Sequence, residues 1–202
     1  MHVIGLTGGI ACGKSSVSAE LRRMGIPVLD ADKMAHELAE PGRELFAAYV
    51  EHFGSGILGP EGTLDRRAIA DQVFQNPGER EWIDRASHPL LLAEMKRRIE
   101  SCCAAGAKVV VLDVPLLFEA GWDALCNETW TVSIPPRLQE KRLMLRDHLS
   151  LEQVRKRIAS QMSLEEKRRR ADVVIDNSGA KSQTKRQVRS LMERFSVQGD
   201  VP

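Results

Sequence analysis

The residues best suited to chemistry lie near the start of the chain and have the spacing G-x-x-x-x-G-K-[ST], as Gly8-Gly9-Ile10-Ala11-Cys12-Gly13-Lys14-Ser15. Glycines lack Cβ atoms, so their backbone N–H groups can closely approach a phosphate. In such a loop the lysine reaches the β- and γ-phosphates and the serine hydroxyl binds Mg²⁺. The spacing predicts a phosphate-binding loop. The residues expected to contact ATP are Gly8, Gly9, Ala11, Cys12, Gly13, Lys14, Ser15 and Ser16.

The flanking segments are those that this loop requires. The apolar run Val3–Thr7 precedes it, and an amphipathic segment with Val17 and Leu21 on one face follows. A strand, a glycine loop and a helix in this order direct the helix N-terminus at an anion. The alternative is a glycine-rich turn that binds nothing.

Acidic residues follow two further predicted strands. Asp30 and Asp32 end the run that begins at Ile26, and Asp113 ends the apolar run 109–112. If the first strand extends through Asp32, both of its acids share one side. Ligands of open α/β sheets bind at these carboxyl ends. We expect Asp32 to accept a proton from a hydroxyl substrate and Asp113 to be a candidate second Mg²⁺ ligand. Helix or strand-end capping is the alternative role of all three acids.

A basic helical segment spans 137–170. It holds eleven Lys and Arg against five Asp and Glu, a net +6 in a chain whose total is +1. Arg142 and Arg146 are four residues apart and so share a helix face. We expect this segment to be a mobile lid whose Arg142 and Arg146 neutralise phosphoryl oxygens during transfer. A solvated helix face is the alternative.

Composition narrows the classes of protein to which the chain could belong. A net charge of +1 favours neither nucleic acid nor a membrane as a partner, and no apolar run has the length of a bilayer span. The start of the chain lacks the basic leader of a signal peptide. Its four cysteines have no zinc-site spacing, which favours reduced thiols and a cytoplasmic protein. No feature indicates an oligomeric state.

Predicted strands alternate with predicted helices along the chain, which indicates an α/β fold with a parallel sheet of about five strands. The last predicted strand is Val173–Asp176, and a final helix follows over about 180–195. The span from about 41 to 105 is predicted to be helical. Within it, His88-Pro89 is expected to begin a helix, because the residue before proline disfavours helical geometry.

Several motifs together resemble the dephospho-CoA kinase family, nearly from end to end. They are Gly5-Leu6-Thr7-Gly8-Gly9-Ile10, Asp30-Ala31-Asp32, His88-Pro89, Asp113-Val114-Pro115-Leu116-Leu117-Phe118-Glu119, Arg142 through Arg146-Asp147, and Asp176-Asn177-Ser178-Gly179. The resemblance implies ATP-dependent phosphorylation, with Mg²⁺, of the ribose 3′-hydroxyl of dephospho-CoA, the last step of coenzyme A synthesis. It implies that Asp32 is the catalytic base and that Asn177 lies near the adenine of ATP. It places the acceptor against Asp32, His88, Pro89, Leu116 and Leu117.

The resemblance also implies a single three-layer P-loop NTPase domain over 1–202. Its nucleotide-binding core would comprise 1–32, 106–136 and 171–202, with a helical acceptor-binding region at 33–105 and a lid at 137–170. The chain departs from the family at Ala11-Cys12, where relatives usually have Gly-Ser. Ala11 fits only if the backbone there does not require a positive φ. Cys12, beside a helix N-terminus, is expected to be a reactive thiol, with a buried apolar role as the alternative.

Two rival functions remain open from the residues. Another small-molecule hydroxyl kinase, similar to shikimate kinase, would also use two acids after the second strand. A non-catalytic nucleotide switch or RNA-binding module would use the basic segment. The segment 137–170 has no Phe, Trp or Tyr on which bases could stack, which argues against the RNA-binding module.

Overall fold

The computed structural model describes residues 1–76 and 78–196. Its strands form one sheet in the order β2-β3-β1-β4-β5. The pairings of β1 with β3, β1 with β4, and β4 with β5 are parallel. The strands are β1 (His2–Gly8), β2 (Val28–Asp30), β3 (Val109–Asp113), β4 (Glu128–Ser133) and β5 (Val173–Asp176). The predicted α/β fold with a five-stranded parallel sheet is confirmed.

Helices connect and cover these strands. They are α1 (Lys14–Arg23), α2 (Ala31–Leu38), α3 (Glu44–Phe53), α4 (Arg66–Gln75), α5 (Gly78–Ala104), α6 (Pro136–Asp147), α7 (Leu151–Ala159), α8 (Leu164–Arg170) and α9 (Lys181–Ser196). Short 3₁₀ turns occur at Ser55–Ile57 and Trp122–Leu125. Among the described residues, none of the helices combines the length and the apolar composition needed to cross a bilayer.

The central strand β1 is buried from Val3 to Gly8, as expected for a parallel strand covered on both faces. Its side chains Ile4 and Leu6 join a core that also includes Trp130 of β4, Leu21 of α1 and Met192 of α9. Burial of each large apolar side chain contributes roughly 1.5–3 kcal/mol. This core holds the end of β1, and therefore the loop that follows it, in a fixed place.

The chain divides into two compact units. The first contains residues 1–29 and the described residues from 102 onward, and the second is Asp30–Ser101. The second unit is helical and has an aromatic cluster in which His52 and Trp82 stack with ring centroids 3.8 Å apart. Phe53 meets Trp82 edge-on at 5.3 Å. The assignment of 33–105 to acceptor binding stays a prediction.

The expectation that His88-Pro89 begins a helix is wrong. A single helix, α5, contains both residues and has Pro89 in its interior. Proline lacks an N–H and so cannot complete the bond to the carbonyl of Arg85, but the helix continues on both sides. Asn76-Pro77 is also a sequence that favours the start of a helix, but Pro77 lies outside the described residues. Asn76 itself accepts a hydrogen bond from the Gly78 N–H at 3.1 Å, just where α5 begins.

Candidate functional site

The glycine loop joins the carboxyl end of β1 to the N-terminus of α1. Gly13 precedes the helix with a φ of 86°, in the left-handed region that glycine adopts without strain. A Cβ atom there would collide with the side-chain amide of Asn177. A Cβ on Gly8 would lie 2.8 Å from the Val132 carbonyl oxygen. Both glycines are therefore required by close approaches. Among the first N–H groups of α1, that of Ser16 donates to the Gly13 carbonyl at 2.9 Å, which leaves those of Lys14 and Ser15 for an anion.

Lys14 is held by an acid from the neighbouring strand. The parallel pairing of β1 with β3 sets Leu6 opposite Asp113, so both strands end at the same edge. The Lys14 ammonium forms an ion pair with Asp113 Oδ1, and Ser18 Oγ donates to Asp113 Oδ2 at 2.5 Å. Asp113 is only 3% exposed. The acid thus fixes Lys14 beside the loop, and each of its oxygens already accepts a hydrogen bond from a side chain of α1.

The donors available to a metal ion are few. Ser15 and Ser16 are exposed at the start of α1. Within residues 1–76 and 78–196, no cluster of three or more His, Cys, Asp or Glu side chains offers a metal site. Mg²⁺ is usually held by one or two protein oxygens together with waters and substrate phosphates. The exposed Ser15 hydroxyl is one oxygen that could take that part.

Asn177 braces the loop from the turn after β5. Its side-chain Nδ2 donates to the Cys12 carbonyl at 2.8 Å, and its Oδ1 accepts from Thr184 Oγ1 at 2.8 Å. The residue also lines a cleft of about 260 Å³ between α1 and α9, together with Ser16 and Lys181. A buried amide with both ends occupied therefore holds the loop beside this cleft.

The two arginines expected in catalysis differ in their surroundings. Arg142 donates to the Asn177 carbonyl at 3.0 Å, and its Nη1 lies 3.9 Å from where a Gly13 Cβ would be. Across the described part of the chain, no carboxylate lies within 4 Å of Arg142. Arg146 instead makes two hydrogen bonds to Asp147, and this pairing lowers the pKa of that carboxyl. Of these two arginines, only Arg142 lies at the loop, and no carboxylate among the described residues neutralises its charge.

Most other cations of the 137–170 segment have acidic partners nearby. Arg157 also binds Asp147 at 2.5 Å, Arg155 binds Glu140 at 2.8 Å, and Arg170 binds Glu166 at 2.7 Å. The net positive charge of the segment did not reveal these pairs. They form because helical spacing and chain reversal bring opposite charges together. The segment is therefore mostly a paired, solvated surface.

Sequence reasoning missed a buried ion pair that anchors α8. Lys167 is fully buried, donates to the Pro115 carbonyl at 2.7 Å, and lies 2.9 Å from Glu119 Oε1. Burial lowers the pKa of Lys167, and Glu119 opposes that shift. Thr131 Oγ1 also donates to the Lys167 carbonyl at 3.3 Å. The Pro-Leu-Leu-Phe-Glu motif contributes to the family resemblance, but one lysine among the eleven cations of the 137–170 segment gives no sequence signal of burial.

Two glutamines from the same segment also contact the loop and were not predicted. Gln139 Nε2 donates to the Ile10 carbonyl at 2.9 Å, and the Ile10 N–H donates to Gln161 Oε1 at 3.2 Å. Gln139 is 4% exposed. A buried glutamine in a helix start carries no distinctive sequence signal.

The loop differs from expectation at its two unusual residues. Ala11 has a φ of 60°, so the backbone does take the conformation that alanine disfavours. Cys12 is fully buried, and desolvation raises the pKa of its thiol to about 11. The expectation of a reactive Cys12 thiolate is therefore wrong, because burial outweighs the helix N-terminus. Cys12 contributes its carbonyl, and its side chain packs as a small apolar group.

The proposed acceptor residues are placed as follows. In the first unit, Leu116 is exposed, but Leu117 is fully buried, so it packs in the interior instead of facing a ligand. In the second unit, β2 ends at Asp30, whose side chain caps α2 by accepting from the Lys33 N–H at 3.1 Å. Asp32 is exposed in the first turn of α2, so the idea that one strand carries both acids is wrong. His88 is exposed, 3.9 Å from Asp84.

Comparison with known proteins agrees with this geometry. A family model for dephospho-CoA kinase (CoaE) matches residues 2–183. The dephospho-CoA kinase of Symbiobacterium thermophilum is 48% identical over 93% of this chain and 79% of its own length. That of Halalkalibacterium halodurans is 41% identical over 96% of this chain and 97% of its own.

Solved structures give the same result. Dephospho-CoA kinase from Campylobacter jejuni superposes with a TM-score of 0.75 at 26% identity, covering 98% of each chain. Shikimate kinase from Aquifex aeolicus reaches a TM-score of 0.52 at 16% identity over 98% of this chain and 99% of its own, a likeness of fold alone. The resemblance that the sequence motifs indicated is confirmed. On a family match that spans 2–183 and relatives identical at 41–48%, the chain belongs to the dephospho-CoA kinase family.

Proposed function

We propose that this chain transfers the γ-phosphoryl group of ATP to the ribose 3′-hydroxyl of dephospho-CoA, giving CoA and ADP in the last step of coenzyme A synthesis. The observation that carries the proposal is Lys14 at the start of α1, fixed by Asp113 at the end of β3, in a chain matched by the family model over 2–183. A lysine held there delivers its charge to the phosphates without reorganising.

ATP would lie with its phosphates on the glycine loop and its base in the cleft beside Asn177. The N-terminal N–H groups of α1 and the Lys14 ammonium would hold the β- and γ-phosphates. Arg142, which has no carboxylate partner among the described residues, would supply a second cation as charge develops on the transferred group. Arg146 would contribute less, because Asp147 already neutralises it.

Mg²⁺ is proposed as the metal that accompanies ATP. The Ser15 hydroxyl would be its protein ligand. Asp113 would contribute indirectly, because its carboxylate holds Lys14 in place. When bound, the ion neutralises phosphate oxygens during transfer. The protein's own part is to keep Ser15, Lys14 and the helix N-terminus in fixed relation.

Most of the residues proposed to hold the acceptor belong to the second unit. We propose Asp32 as the base that accepts the proton of the ribose hydroxyl, since a carboxylate assists transfer to an alcohol. Its place in the first turn of α2 leaves it exposed. His88 and Pro89 of α5 and the exposed Leu116 are proposed acceptor contacts. A cytoplasmic location also stays a proposal.

A direct assay tests the proposal. Incubation with Mg·ATP and dephospho-CoA is expected to give CoA and ADP in equal amounts, separated by liquid chromatography. Shikimate with Mg·ATP is the matched control, and it is expected to yield no ADP above background. Lys14→Ala should lose turnover while keeping its circular dichroism spectrum. Turnover of shikimate but not of dephospho-CoA would overturn the proposed acceptor.

A further inference from the structure

The residues Gly9 to Cys12 form a turn within the loop. The Cys12 N–H closes it by donating to the Gly9 carbonyl at 3.1 Å. Ala11, at the third of the four positions, has a φ of 60°. A positive φ at that position is typical of type II turns and favours glycine, because the Cβ of other residues crowds the backbone. The loop therefore has a conformation that its own alanine disfavours.

The competing conformation is a type I turn. The two turn types differ by a flip of the central peptide, here the one between Ile10 and Ala11. Because a peptide is planar and trans, this flip reverses both the Ile10 carbonyl and the Ala11 N–H. The penalty for alanine in the left-handed region corresponds to a bias of roughly five- to thirty-fold toward the flipped form.

Gln139 opposes the flip directly. Its Nε2 donates to the Ile10 carbonyl at 2.9 Å, and a flipped peptide would abandon that bond. Gly9 makes the approach possible, because a Cβ there would lie 2.7 Å from Nε2. Gln161 holds the same residue differently: it accepts from the Ile10 N–H, which belongs to the preceding peptide and does not turn in the flip.

We propose that Gln139 is a positioning residue for nucleotide binding, which keeps the Ala11 N–H directed toward the phosphates of ATP by fixing the Ile10 carbonyl on the opposite side. The inference rests on the proposed use of this loop as the ATP site. It explains how the chain accommodates Ala11 and links the start of α6 to the shape of the loop. A merely structural glutamine would act independently of the residue at position 11.

A double-mutant cycle tests this coupling. Gln139→Met, similar in size but without a donor, is compared in the wild-type and Ala11→Gly backgrounds. Titration with a fluorescent ADP analogue gives Kd, and steady-state kinetics give kcat and the KM for ATP. In the wild-type background Gln139→Met should raise Kd and KM five- to thirty-fold, with kcat at saturating ATP within about threefold. In the Ala11→Gly background the rise should be below about threefold, because glycine holds the turn unaided.

Gln161→Met is the matched control, since it contacts the same residue through the peptide that does not flip. Its effect should be equal in the two backgrounds. An equal effect of Gln139→Met in both backgrounds would overturn the inference, as would the absence of any effect. If Gln139→Met does not fold, as judged by urea unfolding, Gln139→Asn, whose amide is one methylene too short, replaces it in the same cycle. Lys14→Ala tests the proposed nucleotide site separately from the role of Gln139. If this variant bound the ADP analogue as tightly as the wild type does, the proposed nucleotide site itself would be overturned.

Discussion

Lys167→Met should destabilise the protein strongly, because it removes one partner of a buried ion pair. The lysine side chain has no solvent exposure, and its Nζ lies 2.9 Å from Glu119 Oε1 and 2.7 Å from the Pro115 carbonyl oxygen. Methionine fills a similar volume but carries no charge and donates no hydrogen bond. The carboxylate of Glu119 would remain without its cation.

The size of this loss of folding stability depends on the solvation and hydrogen bonds that Glu119 and the Pro115 carbonyl keep in the variant. Removing one partner of a buried pair typically costs about 3–5 kcal/mol. The Glu119 side chain is 22% exposed, so water can partly solvate it. The Pro115 carbonyl keeps a second donor, since Thr7 Oγ1 lies 2.9 Å away. Both observations favour the lower end, about 3 kcal/mol, out of a total stability of roughly 5–15 kcal/mol.

Urea unfolding followed by circular dichroism measures this loss. The matched control is Lys156→Met, in which an exposed lysine loses its partner Glu152 at 2.8 Å, and about 0.5 kcal/mol or less is expected. Adding Glu119→Gln to Lys167→Met should restore part of the stability, since it removes the stranded charge. Equal losses from Lys167→Met and Lys156→Met would refute the claim that the buried pair anchors α8.

Four further predictions concern the site and the 137–170 segment. Asp32→Asn should lower kcat by roughly 10²–10⁴-fold while leaving ADP-analogue affinity unchanged, and a variant that retained a tenth of wild-type kcat would exclude Asp32 as the base. Cys12 should be alkylated far more slowly than the exposed Cys103 in a mass-spectrometric time course; faster labelling of Cys12 would contradict its burial. Burial raises the pKa of the Cys12 thiol from 9.0 to about 11, so the contribution of this group to stability is complete below pH 9.0 and is lost as the pH rises through about 11. Urea midpoints should therefore fall over this pH range, and less steeply in Cys12→Ala; an equal slope in that variant would argue against the prediction. Amide exchange should become slower in α7 when both substrates bind, whereas in α8 it should be slow with and without substrates. Rapid exchange of α8 without substrates would show that the whole 137–170 segment moves.

Local sequence signals predicted the glycine loop and the strand and helix on either side of it. The strand–loop–helix order and the parallel sheet follow from hydrophobic pattern and glycine spacing. Asp113 was predicted at the edge of the sheet where the loop opens, as a candidate Mg²⁺ ligand, because parallel strands end at one edge; its ion pair with Lys14 was not predicted. Asp30 was open to two interpretations, and its hydrogen bond to the Lys33 N–H is that of a helix cap.

Features set by tertiary packing were not predictable in this way. Burial of Cys12 and Lys167 depends on which face each residue turns to a core assembled from distant segments. Pro89 disfavours helix locally, but the residues around it are helical on both sides, and the helix continues. The strained φ of Ala11 is tolerated where Gln139 and Gln161 hold the neighbouring peptide groups, partners more than 120 residues away.

The position of β1 in the sheet affects how the protein is made. The ribosome releases β1 first, but its neighbours β3 and β4 begin at Val109 and Glu128, so the central strand has no partner until more than a hundred further residues have emerged. At about 5–20 residues per second, this delay is roughly 5–20 s. The unit Asp30–Ser101 lies wholly inside the delay and has the chance to fold before the sheet closes. The glycine loop, which precedes all of these residues in the chain, therefore takes its shape only late in synthesis.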